Sequence, residues 1–196
     1  MDLMLLRVFQ QQVLLECQFF ILGSLELNAS LVVGGDFRTW YAIEIMLNSA
    51  ANISKALWGQ AGRKSEQRKE LRDSIGIADD SPLRAVVMRN HFQHIDERLD
   101  DWWSTSKGHN MVDQNFGDVT RAISGIEEKD IFRNFDPQTA SVIFWGEKFN
   151  LQTLAAEINR ILPRLKLEAS KPHWEPRPAK QPEAASRRSP DEAKAE

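Results

Sequence analysis

Apolar residues at Leu3, Leu6, Phe9, Val13, Cys17, Phe20 and Leu27 recur three, four or seven positions apart, which traces one face of a helix over residues 3–28. Leu14, Leu15, Phe19, Ile21 and Leu22 widen that face, so this helix is expected to sit against several neighbours. Gly34-Gly35 then breaks the chain, and Asp36 is placed to cap a helix from Phe37 to about Trp58. Its buried side is expected to hold Trp40, Ile43, Leu47, Ala50, Ala51 and Leu57, and Gly59 and Gly62 end it. A short charged helix follows over residues 65–74, and a turn over 78–81. Ser81-Pro82, a capping serine before a proline at the first helical position, opens a helix expected over residues 82–103. Beyond Gly108 the helical pattern fades. Residues 131–135 and 141–145 read as two short strands around an Asp136-Pro137 turn, a small hairpin over about 131–146. Leu151, Leu154, Ile158, Ile161, Leu162 and Leu165 mark a closing helix over about 151–166, with Pro163 expected to kink or shorten its last turn. The fold class is therefore mainly α, an up-and-down bundle of four to five helices carrying a small C-terminal β-hairpin.

From Glu168 the composition changes: residues 168–196 hold five of the eight prolines and almost no aliphatic residue beyond Ala. Such a segment cannot bury enough apolar area to offset the entropy of ordering it, so a disordered tail is expected after a helical domain over residues 1–167. Hydrophobic residues make up 42% and charged residues 27% of the 196, a globular composition. The 25 Lys and Arg against 28 Asp and Glu leave a formal charge of −3. A protein that coats nucleic acid through general basicity is excluded on that balance, and any phosphate contact must be local. A lone cysteine, Cys17, forms no intramolecular disulfide and no zinc signature. Glu16 and Glu26 interrupt the apolar stretch near the N-terminus, and no positive leader precedes it, so a cytoplasmic protein without a membrane segment is expected.

Chemistry concentrates in Arg89-Asn90-His91-Phe92-Gln93-His94, where two of the four histidines lie three residues apart beside an arginine and an amide. At about 100° per residue, Asn90 and His94 sit roughly 40° apart on a helix and His91 and His94 roughly 60° apart, so the three share a face. Arg89 and His94 are about 140° apart, which needs a long reach of the Arg side chain or a local distortion of the helix. An imidazole moves protons near neutral pH, and a guanidinium holds two phosphate oxygens in its fork. That pair suffices for attack of a ribose 2′-OH on its own 3′-phosphate, without metal, cofactor or protein nucleophile. One His per protomer supplies one of the acid and base roles; a symmetric dimer would supply both.

Arg89-Asn90-x-x-x-His94 resembles the Arg-polar-x(3)-His form of the motif of HEPN domains, an all-α family of nucleotide-binding and RNA-cleaving domains. The resemblance covers the six motif residues closely and the helical context over roughly residues 1–105. It implies a HEPN-like bundle in which two motif copies meet across a homodimer cleft. By the same carry-over Arg89 binds phosphate, Asn90 orients the Arg or the substrate, and His94 is the general acid/base. A metal-independent endoribonuclease is the implied activity, with RNA or a nucleotide as ligand, a toxin or defence role, and an antitoxin partner. His91, which shares the face, and Glu97, three residues past His94, are the added substrate-binding candidates.

Other readings stand beside these. The helix can equally be a non-catalytic interaction module binding a partner protein, a nucleotide or RNA. His91 can be a satisfied structural histidine, and Glu97 either orients His94 or is simply solvated. Trp102, Trp103, Trp40, Trp58 and Trp145 fit packing better than base stacking. Lys64, Arg68 and Arg72 repeat at helical spacing as a basic ridge, which Glu66, Glu70 and Asp73 neutralise into a solvated face.

Overall fold

The computed structural model describes residues 1–119 and 123–174. Helix α1 (Leu3–Val32) is capped by the Asp2 carboxylate, which accepts from the Leu5 amide at 3.2 Å. Its inner line, Leu6, Val13, Cys17, Phe20 and Leu27, is buried against α2 (Phe37–Trp58). A methyl group at Gly23 would lie 2.9 Å from Met46 Cγ and 3.2 Å from the Ala42 carbonyl, so this glycine lets the two backbones cross closely. Helix α2 begins and ends where the sequence places its signals. Asp36 accepts from the Arg38 amide at 2.8 Å, Thr39 Oγ1 accepts from the Asp36 amide at 3.3 Å, and Gly59 leaves the helix at φ 77°. A Cβ at Gly59 would collide with Lys64 Cβ at 2.6 Å, so the turn is closed to larger residues.

The charged segment forms a 3-10 turn and then α3 (Lys69–Ile75). It does not present a basic ridge. Arg72 is buried, its Nη1 donating to the carbonyls of Leu57 at 2.9 Å and Ser65 at 2.7 Å, while Nη2 pairs with Asp79 at 3.0 Å.

The long helix expected over residues 82–103 is three pieces. Ser81 caps a single 3-10 turn, Pro82–Arg84, after which the chain is extended. The Arg84 carbonyl, which a continuing helix would offer four residues on, accepts from Ser54 Oγ of α2 at 2.9 Å. The β-branched pair Val86-Val87 adds no local preference for helix. Helix α4 (Met88–Gln93) and helix α5 (Ile95–Thr105) are separated at His94, whose φ −112° and ψ 39° are not helical.

The hairpin is present inside a four-stranded sheet of order β1-β2-β3-β4: β1 (Asn115–Phe116), β2 (Asn134–Asp136), β3 (Ser141–Phe144) and β4 (Glu147–Asn150). Strands β1 and β2 run parallel and the other pairs antiparallel. Asp136 stabilises the expected turn, accepting from the Gln138 amide at 3.0 Å and from Thr139 Oγ1 at 2.6 Å. The outer strands β1 and β4 escape sequence reading because each is two to four residues long with no alternation. Phe132, Phe135, Val142 and Phe144 join the helical residues in one hydrophobic core.

Helix α6 (Leu151–Ala169) buries Leu151, Leu154, Ile158, Ile161 and Leu165 and packs on α1. Pro163 sits inside it without ending it, and the helix passes the expected boundary at 168. Arg7 holds that end, its Nη1 donating to the Glu168 carboxylate at 3.2 Å and its Nε to the Pro172 carbonyl at 3.4 Å. The rest of the expected disordered tail, residues 175–196, lies outside the described residues. The whole is mainly helical with a small sheet.

Helix α1 packs against α2, α3 and α6, the several neighbours expected of it. Leu14 and Ile21 pack against the core, but Leu15, Phe19 and Leu22 are 41%, 42% and 60% exposed, so the added apolar residues are not all covered by neighbours.

Candidate functional site

A groove of about 730 Å³ opens between the last turns of α2, the Gly59–Gly62 turn and the chain from Arg84 to His94. Arg89, Asn90 and His94 all line it, together with Lys55, Arg84, Ser54, Gln60 and Gln93. No Asp or Glu lines it among the described residues. In a chain with net charge −3, three cationic side chains and an imidazole around one carboxylate-free concavity concentrate positive charge locally.

On an ideal helix Arg89 and His94 would face about 140° apart; here α4 ends at Gln93 and both residues border the same groove. Arg89 is held through one nitrogen only: Nε donates to Asn48 Oδ1 of α2 at 3.1 Å, and Gln93 Nε2 donates to the same oxygen at 3.3 Å. The terminal guanidinium nitrogens have no partner among the described residues, so the fork is oriented yet still able to bind. Behind Arg89 lies a cavity of about 50 Å³ bordered by Glu44, the nearest lining carboxylate on that side.

His94 is half exposed, and its Nδ1 lies 3.3 Å from Glu97 Oε1. Glu97 thus faces the imidazole and does not line the groove. This placement fits the reading in which Glu97 orients His94. A carboxylate on Nδ1 favours the tautomer with its proton there and leaves Nε2 as the acceptor.

His91 leaves the shared face altogether. Its ring stacks on Phe144 of β3 at 4.8 Å between centroids and 16° between planes. Arg98 Nε donates to Nδ1 at 3.2 Å, and because a guanidinium only donates, the ring proton is on Nε2, which donates to Glu147 Oε2 at 3.0 Å. Both nitrogens are occupied. His91 fastens α4 to the sheet and does not line the groove, which fits the alternative reading of a satisfied structural histidine.

The groove's wall depends on residues that motif reading passed over. Arg72 clamps the α2 terminus and Ser65 across the Gly59–Gly62 turn, with its guanidinium 5.5 Å from the Trp58 ring centroid. Trp58 lines the groove, and its buried Nε1 has no partner among the described residues. Lys55 and Arg84 are 29 residues apart in sequence, so no local spacing relates them to the motif. The tryptophans otherwise behave as packing residues, Trp40 and Trp102 being buried, whereas Trp103 is 66% exposed and rests on His109.

No family model, curated protein or solved structure matches this chain. The reading of the groove therefore stands on its own geometry.

Three titratable groups away from the groove are set by burial and by their hydrogen-bond or charged neighbours. Burial pushes the Asp130 carboxyl up, but hydrogen bonds from Trp102 Nε1 at 2.9 Å and Ser106 Oγ at 2.7 Å outweigh it and hold the group below its ordinary value. Asp113 behaves alike: burial raises it, and the bonds and charge of Arg133 bring it below the usual range. Burial, with Glu16 adding to it, pushes the Cys17 thiol up to about 12, so this cysteine is inert in the folded chain. A second concavity, of about 910 Å³, lies beside the sheet and is lined by Glu128, Asp136 and Lys148 among others; none of the motif residues reaches it.

Proposed function

We propose that the groove is the RNA site of a HEPN-like, metal-independent endoribonuclease. The single observation that carries this reading is that Arg89, Asn90 and His94 border one carboxylate-free groove with two further cations, Lys55 and Arg84. A phosphodiester is the ligand that such a set prefers, because charge-assisted hydrogen bonds from a guanidinium fork fit two phosphate oxygens.

In the proposed reaction the 2′-oxygen attacks the adjacent phosphorus and the bond from phosphorus to the 5′-oxygen breaks. The 2′-hydroxyl proton passes to a base, and a proton is delivered to the departing 5′-oxygen. The products are a 2′,3′-cyclic phosphate and a 5′-hydroxyl. Arg89 holds the phosphate and offsets the charge that grows on it in the transition state. His94, with Glu97 beside Nδ1, carries out one proton transfer through Nε2. The other transfer falls to the His94 of a second protomer.

The test is incubation of the full chain with single-stranded RNA in EDTA, beside Arg89→Ala and His94→Ala. Cyclic-phosphate ends that disappear in both variants, and a substrate with a 2′-deoxy scissile nucleotide that resists, are expected. Cleavage persisting in both variants overturns the assignment. RNA binding without cleavage by the unaltered chain assigns the groove to a binding module instead.

A further inference from the structure

The outer side of α1 carries a pattern of its own. Met4, Val8, Gln11, Leu15, Gln18, Leu22, Leu25, Ala29 and Val32 alternate in steps of four and three over the whole helix, the a/d spacing of a coiled coil. Every one of them is exposed: Met4 58%, Val8 50%, Leu22 and Leu25 60% each, Val32 86%. The buried line on the opposite side already binds α1 to its own fold, and among the described residues nothing covers this second stripe.

Its size and charge say what covers it. A 30-residue helix is about 45 Å long and about 10 Å wide, so the stripe spans on the order of 450 Å² in plan. That falls within the ~300–600 Å² of the largest apolar patch on a typical monomer, a size that is often functional. Leu5 and Phe19, exposed at its flank, widen this apolar face. A surface that meets its own copy about a two-fold axis must not repel itself, and this stripe holds no charged residue. The three charges on α1 are engaged inside the chain: Arg7 with Glu168, Glu16 with Gln12 and Asn52, Glu26 with Arg38. A lipid surface is a poorer fit. The helix is long and apolar enough to cross a membrane by length and composition, but it bears one cation against two carboxylates and so lacks the basic flank of an interfacial helix.

We propose that the outer face of α1 is a self-association seam that packs against α1 of a second copy of this chain. The seam rests on α1 alone and stands whatever the groove binds. Gln11 and Gln18, polar at two seam positions, restrict the pairing to one register and orientation, as buried amides do in coiled coils.

Sedimentation velocity on the full chain at micromolar concentration reads the state directly. The expected species has twice the 22.4 kDa chain mass, and Leu15→Glu with Leu22→Glu reduces it to a single chain, weakening association by about 100-fold or more. Both leucines are exposed, so helix content by circular dichroism should be unchanged; Leu25→Glu alone is the second variant. A wild-type monomer, or a dimer that survives both variants, overturns the proposal. So does a chain that is monomeric in buffer and sediments with phosphatidylcholine vesicles, an outcome that gives the face to lipid. RNA cleavage measured on the same samples separates the two readings: a dimer without cleavage removes the nuclease and leaves the seam, and a cleaving dimer that survives both variants removes the seam and leaves the nuclease.

Discussion

His91 and His94 lie three residues apart on one short stretch of chain, and the fold gives them opposite situations. On the sheet side, His91 has a ring stack and a partner on each nitrogen. On the groove side, His94 is half exposed with one nitrogen beside a carboxylate and the other open. The same contrast separates the arginines: Arg72 has its donors consumed by carbonyls and Asp79, whereas Arg89 is oriented through Nε alone. Residue type does not distinguish a site from a strut; unspent hydrogen-bonding capacity does, because a group whose donors and acceptors are already satisfied has nothing left for a ligand.

Exchanging the two histidines' roles by mutation gives the sharpest test. His94→Ala is expected to lower RNA cleavage by about 10² to 10⁴-fold, the usual worth of a positioned acid or base, with an unchanged melting temperature. His91→Ala should do the opposite, costing about 1–3 kcal/mol in urea unfolding through the lost bonds while cleavage per folded molecule holds. If His91→Ala abolishes cleavage in a fully folded protein, the comparison breaks.

Arg72→Met asks whether the strut beneath the groove matters to it. Two carbonyls lose their donor and Asp79 its partner; since Asp79 is largely exposed, the loss is expected at about 2–3 kcal/mol by denaturant unfolding. Weaker RNA binding should accompany it, as the Gly59–Gly62 turn loosens.

A smaller effect tests the other wall. Lys55→Ala with Arg84→Ala should weaken single-stranded RNA binding and flatten its dependence on salt, by about 0.7 in the log–log slope for each cation lost. Fluorescence anisotropy at several salt concentrations reads it, and an unchanged slope would place the RNA elsewhere.

The mildest change comes from pH. Asp113 and Asp130, both on the sheet side, have carboxyl groups held below their ordinary values in the folded chain. Their stabilisation is therefore complete above the unfolded value of about 3.9 and is lost as pH falls through the lower folded values. The urea midpoint should decline in that acid window and less so in Asp113→Asn, which has no such proton to take up.

Much of the helical frame was legible because its signals act within a turn or two. Asp36 and Thr39 are three residues apart, Gly59 follows directly on Trp58, and the apolar spacing of α1 and α6 is a repeat that one strand of text displays in full. The Asp136-Pro137 turn is equally local. The motif was visible as six letters, and the angle of about 140° between Arg89 and His94 left open either a long reach of the Arg side chain or a local distortion of the helix. Nothing nearby, however, announced where the helix stops.

What the chain's order of residues determined by itself was the presence of α1, α2 and α6, the Asp36 cap and the turn of the hairpin, all governed by interactions between close neighbours. Tertiary structure alone decided which of two histidines stays open, that Arg72 is buried, and that Lys55 and Arg84 join the motif around one groove. Those outcomes depend on partners brought from far along the chain, Ser54 to the Arg84 carbonyl, Asn48 to Arg89 and Phe144 to His91. Such partners exist only once burial has packed the elements together, and no spacing rule encodes them.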